Sequence, residues 1–443
     1  MNGVRRVFAF VLAAALTLGA LPLPKAAAAT DAVTVTKSVS PTEILVQEEV
    51  EVTLTVQGTP PTNVVRPNDV ILVIDRSGSM ASEGRMTSAK NAAKGFVDLM
   101  DFSKHRVGIV DYSTTAKGMP LTTDGEQAKQ YIDTLVANGN TATGDAIQLA
   151  MELLAEHRPE AQPVIVLMTD GEANVGSPTP YDYAKLKAAE AKAAGIVFYT
   201  IALLSKDDDP ETSPPNLLLK EMATTAQHHH FVLGAQDLST IYSKIVHEIG
   251  IASAYDVTLT ETVSGDFEIV PDSYQHNIPQ PQVSGNTLTW HFLELKDEAL
   301  TLTYRIRHKD GGATGMLPTS SGSSLTYKDY AGAPRTGTVP VVRVKVSYPA
   351  PVIESVEPDN GPVSGGNAVV IRGRNFRPGA TVTFGNYTAA NPVVTPTEIT
   401  VTAPAVTKAG AVTLQVTNDD QQKAAATYTY WVEPELQSLT PAE

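Results

Sequence analysis

The chain has 443 residues, a formal charge of −15 and no cysteine. It is too long for one ordinary core and long enough for three domains. Its acidity argues against a nucleic-acid partner, because phosphate binding draws on clustered lysine and arginine, and no disulfide can hold it together.

In residues 1–29, Arg5 and Arg6 precede an apolar run from Val7 to Leu21, followed by Lys25 and the small residues Ala26 to Ala29. This is the layout of a secretory signal peptide cleaved near Ala29. The expected location is therefore outside the cell, secreted or on the surface, and a cysteine-free exported chain suits a Gram-positive bacterium. No later stretch has the length and apolarity of a membrane-spanning helix.

Residues 30–67 alternate, with Val33, Val35, Val39, Ile44, Val46, Val50, Val52, Leu54 and Val56 separated by polar residues, which predicts two or three strands. From 68 to 250 the character changes. Continuous apolar runs at Val70 to Ile74, Val107 to Val110, Val164 to Met168 and Ile196 to Leu203 alternate with helical patterns at Thr87 to Met100, Asp124 to Val136, Gly144 to Glu156 and Tyr183 to Ala194. A last helix is expected from Leu238 to Gly250. Such alternation predicts a doubly wound α/β domain, a mostly parallel sheet with helices on both faces. Residues 251–348 return to short alternating strands. The opening strands are too few to bury a core alone, so they are expected to join 251–348 in one β-sandwich, with the α/β domain inserted between.

Residues 349–433 place glycines at turns between alternating strands, as in Pro358 to Gly366 and Val369 to Phe376, which predicts an all-β immunoglobulin-like unit. Pro351, Ser355 and Pro358 recur as Pro434, Ser438 and Pro441. A spacing of that size marks a repeated domain, so 434–443 reads as the start of a second copy.

The first apolar strand of the α/β domain ends in Asp75-Arg76-Ser77-Gly78-Ser79, a carboxylate and two hydroxyls at alternate positions. Ligands of open α/β sheets bind beyond the carboxyl ends of the strands, where strand order reverses. A later strand ends in Thr169-Asp170-Gly171-Glu172, and a third loop supplies Asn140 to Gly144 at a helix start. Together Asp75, Ser77, Ser79, Thr141 and Asp170 form an all-oxygen set, the kind preferred by Mg²⁺, with Mn²⁺ or Ca²⁺ as substitutes.

These three segments, in this order, resemble the metal-ion-dependent adhesion site of von Willebrand factor A domains, over about Asn68 to Gly250. The resemblance implies that Ser77 and Ser79 coordinate directly, that Thr141 joins them in a high-affinity state, and that Asp75 and Asp170 act mainly through waters. It also implies a protein partner that offers an Asp or Glu carboxylate. Where the family often has two glycines, this chain has Asn138-Gly139-Asn140. Thr141 takes the family's position, with Thr143 the alternative. Residues 351–432 resemble the IPT/TIG family, here read as a spacer or secondary contact module.

The expected function is thus adhesion or protein capture outside the cell. The rival readings are a wall-associated scaffold in which the ion only stabilises the fold, and an accessory subunit of a secreted enzyme. No catalytic residue is assigned, since no Gly-x-Ser-x-Gly elbow, His-Glu-x-x-His helix or phosphate loop is present. The loops Glu172 to Tyr183 and Ser205 to Asn216 are expected to shape the partner surface, with Asp207, Asp208 and Asp209 a solvated run. His228, His229 and His230 cannot all face one ion from a strand, and they are expected to open the last strand of the sheet. Lys37 lies in the first strand. It is either an exposed edge lysine or one end of an amide link to Asn or Asp, assisted by an acid such as Glu261.

Overall fold

The computed structural model describes residues 32–61 and 64–433. The expected leader at 1–29 and the second repeat copy at 434–443 lie outside the described residues. Three strands come first: β1 (Val33–Ser40), β2 (Glu43–Leu45) and β3 (Glu49–Gly58). Their alternation buries Val33, Val35, Val50, Val52, Leu54 and Val56 on one face, as the period of two requires.

The apolar runs then give strands covered on both faces. These are β4 (Asn68–Asp75), β5 (Arg106–Tyr112), β7 (Gln162–Thr169) and β8 (Val197–Leu204), joined by two edge strands, β6 (Ala116–Thr122) and β9 (His229–Leu233). The helices are α1 (Arg85–Leu99), α2 (Gly125–Asp133), α3 (Thr143–Leu154), α4 (Pro180–Ala193), α5 (Pro214–Met222) and α6 (Leu238–Glu248). Strand order is β6-β5-β4-β7-β8-β9, with only β6 antiparallel. Helices α1, α2 and α6 cover one face, and α3, α4 and α5 the other. Periodicity did not announce β6 or α5. The first buries only Met119 among its apolar residues; the second starts at Pro214-Pro215 inside a segment read as loop, proline being tolerated in a first helical turn.

The chain runs from β4 to β5 on one side, then crosses to β7 on the other. Strand order therefore reverses at β4, and the crevice beyond β4 and β7 is the switch point where such sheets bind ligands.

After α6 come β10 (Ala254–Val263), β11 (Phe267–Ile269), β12 (Gln282–Ser284), β13 (Thr287–Leu295), β14 (Ala299–His308), β15 (Gly315–Pro318), β16 (Ser320–Lys328), β17 (Pro334–Gly337) and β18 (Arg343–Ser347). One sheet is β1-β3-β14-β11 and the facing one β12-β13-β10-β16-β17, with a small sheet β15-β18-β2 beside them. Leu54 of β3 stands opposite Leu302 of β14, and Val52 opposite Tyr304. Strands from both sides of the α/β unit thus share one core around Trp290, Phe292 and Tyr304. The two chain crossings lie side by side, since Arg66 N donates to Gly250 O at 2.9 Å.

Residues 352–431 fold into two facing sheets around Phe384, Tyr428 and Tyr430, with Phe384 edge-on to Tyr428 at 4.8 Å. Tyr428 and Tyr430 are core residues, whereas Tyr387 and Trp431 are exposed. The joint to the sandwich is pinned. Arg377 stacks on Tyr348 at 3.3 Å, and Gln422 Nε2 donates to Tyr348 O at 2.6 Å.

Candidate functional site at the sheet switch point

The turn after β4 folds back on its own carboxylate. Ser77 N donates to Asp75 Oδ1 at 2.7 Å, and Thr169 Oγ1 at the end of β7 donates to Asp75 Oδ2. The Ser77 and Ser79 hydroxyls lie 3.1 Å apart, and Ser79 Oγ donates to Asp170 Oδ1 at 2.7 Å. Four of the five expected site residues are therefore joined by polar contacts, Ser77, Ser79 and Asp170 through their side chains and Asp75 through the Ser77 backbone N–H.

Thr141 is brought in by its backbone. Its N–H donates to Asn174 Oδ1 at 2.7 Å and its carbonyl accepts from Asn174 N at 3.0 Å, which ties the helix-entry loop to the segment after Asp170. The same loop is stitched to the β4 turn: Gly78 N donates to Gly139 O at 2.9 Å, Asn138 N to Arg76 O at 2.8 Å, and Arg76 Nη1 to Asn138 Oδ1 at 2.8 Å. Gly139 has φ +76°, a left-handed conformation that glycine adopts without strain, and a Cβ there would meet Thr114 Oγ1 at 2.7 Å. Both loop threonines are buried, and Thr143 is the first residue of α3.

The two ends of β4 differ in charge compensation. At the start, the buried Asp69 receives Arg106 and Arg158. Burial pushes its carboxyl up, but the guanidinium bonds outweigh that and hold it below the usual range. At the far end Asp75 is fully buried, and its hydrogen-bond partners are a backbone N–H and a hydroxyl, both neutral. Burial raises it to about 6; the bonds from Thr169 and Ser77 oppose that and the nearby Asp170 charge adds to it. A buried carboxylate beside another, flanked by hydroxyls, is a donor set that fits a small hard cation. Among the described residues no group of three His, Cys, Asp or Glu forms a metal cluster; here two carboxylates are supplemented by hydroxyls.

Sequence reasoning missed Arg85. This first residue of α1 is nearly buried, with Nη1 donating to Asp170 Oδ2 at 2.8 Å and Nη2 to Glu83 Oε2 at 3.0 Å and Ser205 Oγ at 2.8 Å. Asp170 thus already has a cation on one oxygen, whereas Asp75 has none. The signal available was position: an arginine at the helix start that follows the β4 turn. Its bond to Ser205 also brings the start of the second expected partner loop to the site. In that loop Asp208 accepts from Ser205 N, and Asp209 from Glu211 N and Thr212 Oγ1, so two of the three aspartates are spent on turns.

The histidines diverge. Nδ1 of His228 meets Thr225 Oγ1 at 2.7 Å, while His229 meets Thr200 Oγ1 at 2.9 Å and Asn216 Oδ1 at 3.0 Å. Burial lowers their pKa values to about 3 for His228 and His229 and about 4 for His230. They serve the strand β9 and its packing.

Residues 69–244 match the von Willebrand factor type A domain family, and residues 351–430 the IPT/TIG domain family. A UPF0353 protein of Mycolicibacterium paratuberculosis is 36% identical over 148 residues, which is 30% of this chain and 43% of the relative. Inter-alpha-trypsin inhibitor heavy chain H4 of Bos taurus is 31% identical over 132 residues, 27% of this chain and 14% of that protein. The chain thus spans less than half the length of these curated relatives. Among solved structures, a von Willebrand factor type A protein from Catenulispora acidiphila superimposes with a TM-score of 0.55 at 17% identity, covering 72% of this chain and 75% of that one. At that identity the likeness is one of fold. The chain carries a von Willebrand factor type A domain in a multidomain setting, followed by an IPT/TIG domain.

Proposed function

We propose that the von Willebrand factor type A domain captures a protein partner outside the cell through a divalent cation, Mg²⁺ first, held at the β4 switch point. One observation carries this reading: Asp75 is a fully buried carboxylate with only neutral hydrogen-bond donors, next to Asp170 and two hydroxyls. A carboxylate so placed costs stability until a cation compensates it. Ser77, Ser79 and Thr141 would offer neutral oxygens, with Asp75 and Asp170 supplying charge behind them. When bound, the ion supplies a Lewis-acidic vertex that an Asp or Glu of the partner can complete, since Mg²⁺ demands six oxygens. Arg85 would keep Asp170 partly occupied, leaving the ion less neutralised and more receptive to an outside carboxylate. The reading has no catalytic residue, and the sandwich and the IPT/TIG domain act as a stalk.

The scaffold reading draws on the same buried carboxylate, so one experiment separates the two. A peptide array probed with the full chain, with and without Mg²⁺, is expected to give hits that contain Asp or Glu and vanish on chelation. Asp75→Ala is expected to abolish those hits while the metal-free melting temperature barely moves. Hits independent of Mg²⁺ refute the capture reading; a large loss of folding in Asp75→Ala with no Mg²⁺-dependent hit supports the scaffold.

A further inference from the structure

The alternation of β1 puts Val33, Val35 and Lys37 in one inward-facing series, and that of β10 does the same for Val257, Leu259 and Glu261. A lysine and a glutamate thus occupy core positions of two facing sheets. Lys37 is on an edge strand but is not the exposed lysine that such a strand commonly carries. Both side chains are fully buried, and Lys37 Nζ is in direct contact with Glu261 Oε1. Three hydroxyls surround the pair. Ser320 Oγ accepts from Lys37 Nζ at 2.9 Å, Tyr304 donates to Glu261 Oε1 at 3.1 Å, and Ser323 donates to Glu261 Oε2 at 2.5 Å. Among the described residues Lys37 donates to Glu261 and Ser320 and to no Asn or Asp, so the acyl group in contact with it is Glu261 itself, not the Asn or Asp of the amide-link alternative.

We infer that Lys37 and Glu261 condense to an amide, with release of water, and so bolt β1 to β10. The Lys37 nitrogen attacks Glu261 Cδ, the C–N bond forms and the Cδ–Oε2 bond breaks. The ammonium contributes three protons and the carboxylate none; two protons leave with Oε2 as water and one stays on the amide nitrogen. No oxidant or co-reactant is needed.

The surroundings are arranged for this. Tyr304 hydrogen-bonds Oε1, where negative charge develops in the tetrahedral intermediate, the task of an oxyanion donor. Ser323 hydrogen-bonds the departing Oε2. Ser320 and Ser323 lie 3.4 Å apart, so the two hydroxyls span the distance from the amine to the leaving oxygen. Burial, opposed by Glu261, lowers the pKa of Lys37 from its ordinary value and so raises its neutral, nucleophilic fraction. Contact in a fixed orientation replaces a bimolecular encounter by a local one. In water an ionised pair outlasts its amide because both charges are hydrated. In this core hydration is withdrawn from both, while the amide product carries no charge to desolvate.

The bond closes a loop of 224 residues that contains the whole von Willebrand factor type A domain. In a chain without cysteine it is a covalent staple across the two segments that hold the binding domain, so a pull on a captured partner cannot peel the sandwich open at β1.

The test is the intact mass of the purified, denatured full chain, with a tryptic map. A mass lighter than the sequence by one water, cleavage lost after Lys37, and a branched peptide joining the Lys37 and Glu261 segments are expected. Lys37→Met is expected to recover its full mass, whether or not it folds as stably. A wild-type chain of full mass with a freely cleaved Lys37 overturns the inference, leaving a buried ion pair that discourages pairing at the β1 edge. A water deficit that persists in Lys37→Met overturns it too, since the loss then lies elsewhere.

Discussion

Replacing Glu294 by glutamine removes a proton-binding group from the seam between the sandwich and the α/β domain. Glu294 is the inward-facing residue near the end of β13, nearly unexposed, with Oε1 3.5 Å from Nε2 of the equally buried His228. The protonation follows from the chain of donors. Thr225 Oγ1 donates to Glu298 Oε2, so it accepts from His228 Nδ1; Nε2 of the neutral ring then faces Glu294 Oε1, and neither atom has a hydrogen-bond partner among the described residues, so no cation sits on this oxygen of Glu294. Burial, opposed by Lys296 and Arg66, raises Glu294 from 4.5 to about 7. The folded chain therefore keeps a proton that the unfolded chain releases near 4.5. The associated stability is present below that value and is lost as pH rises through about 7. At about 1.4 kcal/mol per tenfold, the loss approaches about 3 kcal/mol by pH 8. Glutamine is uncharged at every pH. Urea unfolding followed by Trp290, on the same strand, should show the stability of Glu294→Gln relative to the wild type rising between about pH 5 and about pH 8, a difference from which the opposite contribution of the buried neutral His229 and His230, common to both chains, drops out. Parallel profiles would refute the raised Glu294 carboxyl.

Three further outcomes follow from the site. Asp75→Asn removes the buried charge, so its metal-free melting temperature should equal or exceed that of the wild type, while Mg²⁺ no longer raises it; calorimetry with and without Mg²⁺ decides. Arg85→Met removes a cation one carboxylate from the ion, and at an effective dielectric of about 20 the relieved repulsion is worth about 1–2 kcal/mol, so Mg²⁺ should bind about tenfold more tightly by isothermal titration while the metal-free chain melts lower. Asp69→Asn removes the charge that receives the part-exposed Arg106 and Arg158 guanidinium groups and should cost about 1.5–3 kcal/mol, with Mg²⁺ affinity unchanged because Asp69 lies at the opposite end of β4.

Legibility in the sequence followed the period of burial. The four runs that became β4, β5, β7 and β8 are apolar because both faces are covered, and this fixed the doubly wound fold before any contact was known. β6 escaped because it is an edge strand that buries a single apolar residue, and α5 because two prolines in its first turn read as loop. At the site, Asp75, Ser77, Ser79 and Asp170 were legible because adjacent strand ends place them together, a consequence of topology. Arg85 was not, since what makes it matter is a distance across the crevice to Asp170 that no spacing in the chain encodes.

The same logic explains why charges inside this protein carry more information than its apolar residues. Most buried apolar positions follow a period of two, a period of 3.6 or a strand covered on both faces, and such positions tolerate volume-conserving exchange at a modest cost. Asp69, Asp75, Lys37, Glu261 and Glu294 break those periods, and each must be compensated by something specific. For Asp69 the compensation is two arginines, for Glu294 the proton that burial makes it keep, for Lys37 and Glu261 each other. Asp75 alone among these five has only neutral donors on its oxygens. If every other buried charge of this set is answered within the chain, the answer to Asp75 is expected from outside it, and a cation at the sheet's switch point is the smallest species that supplies one.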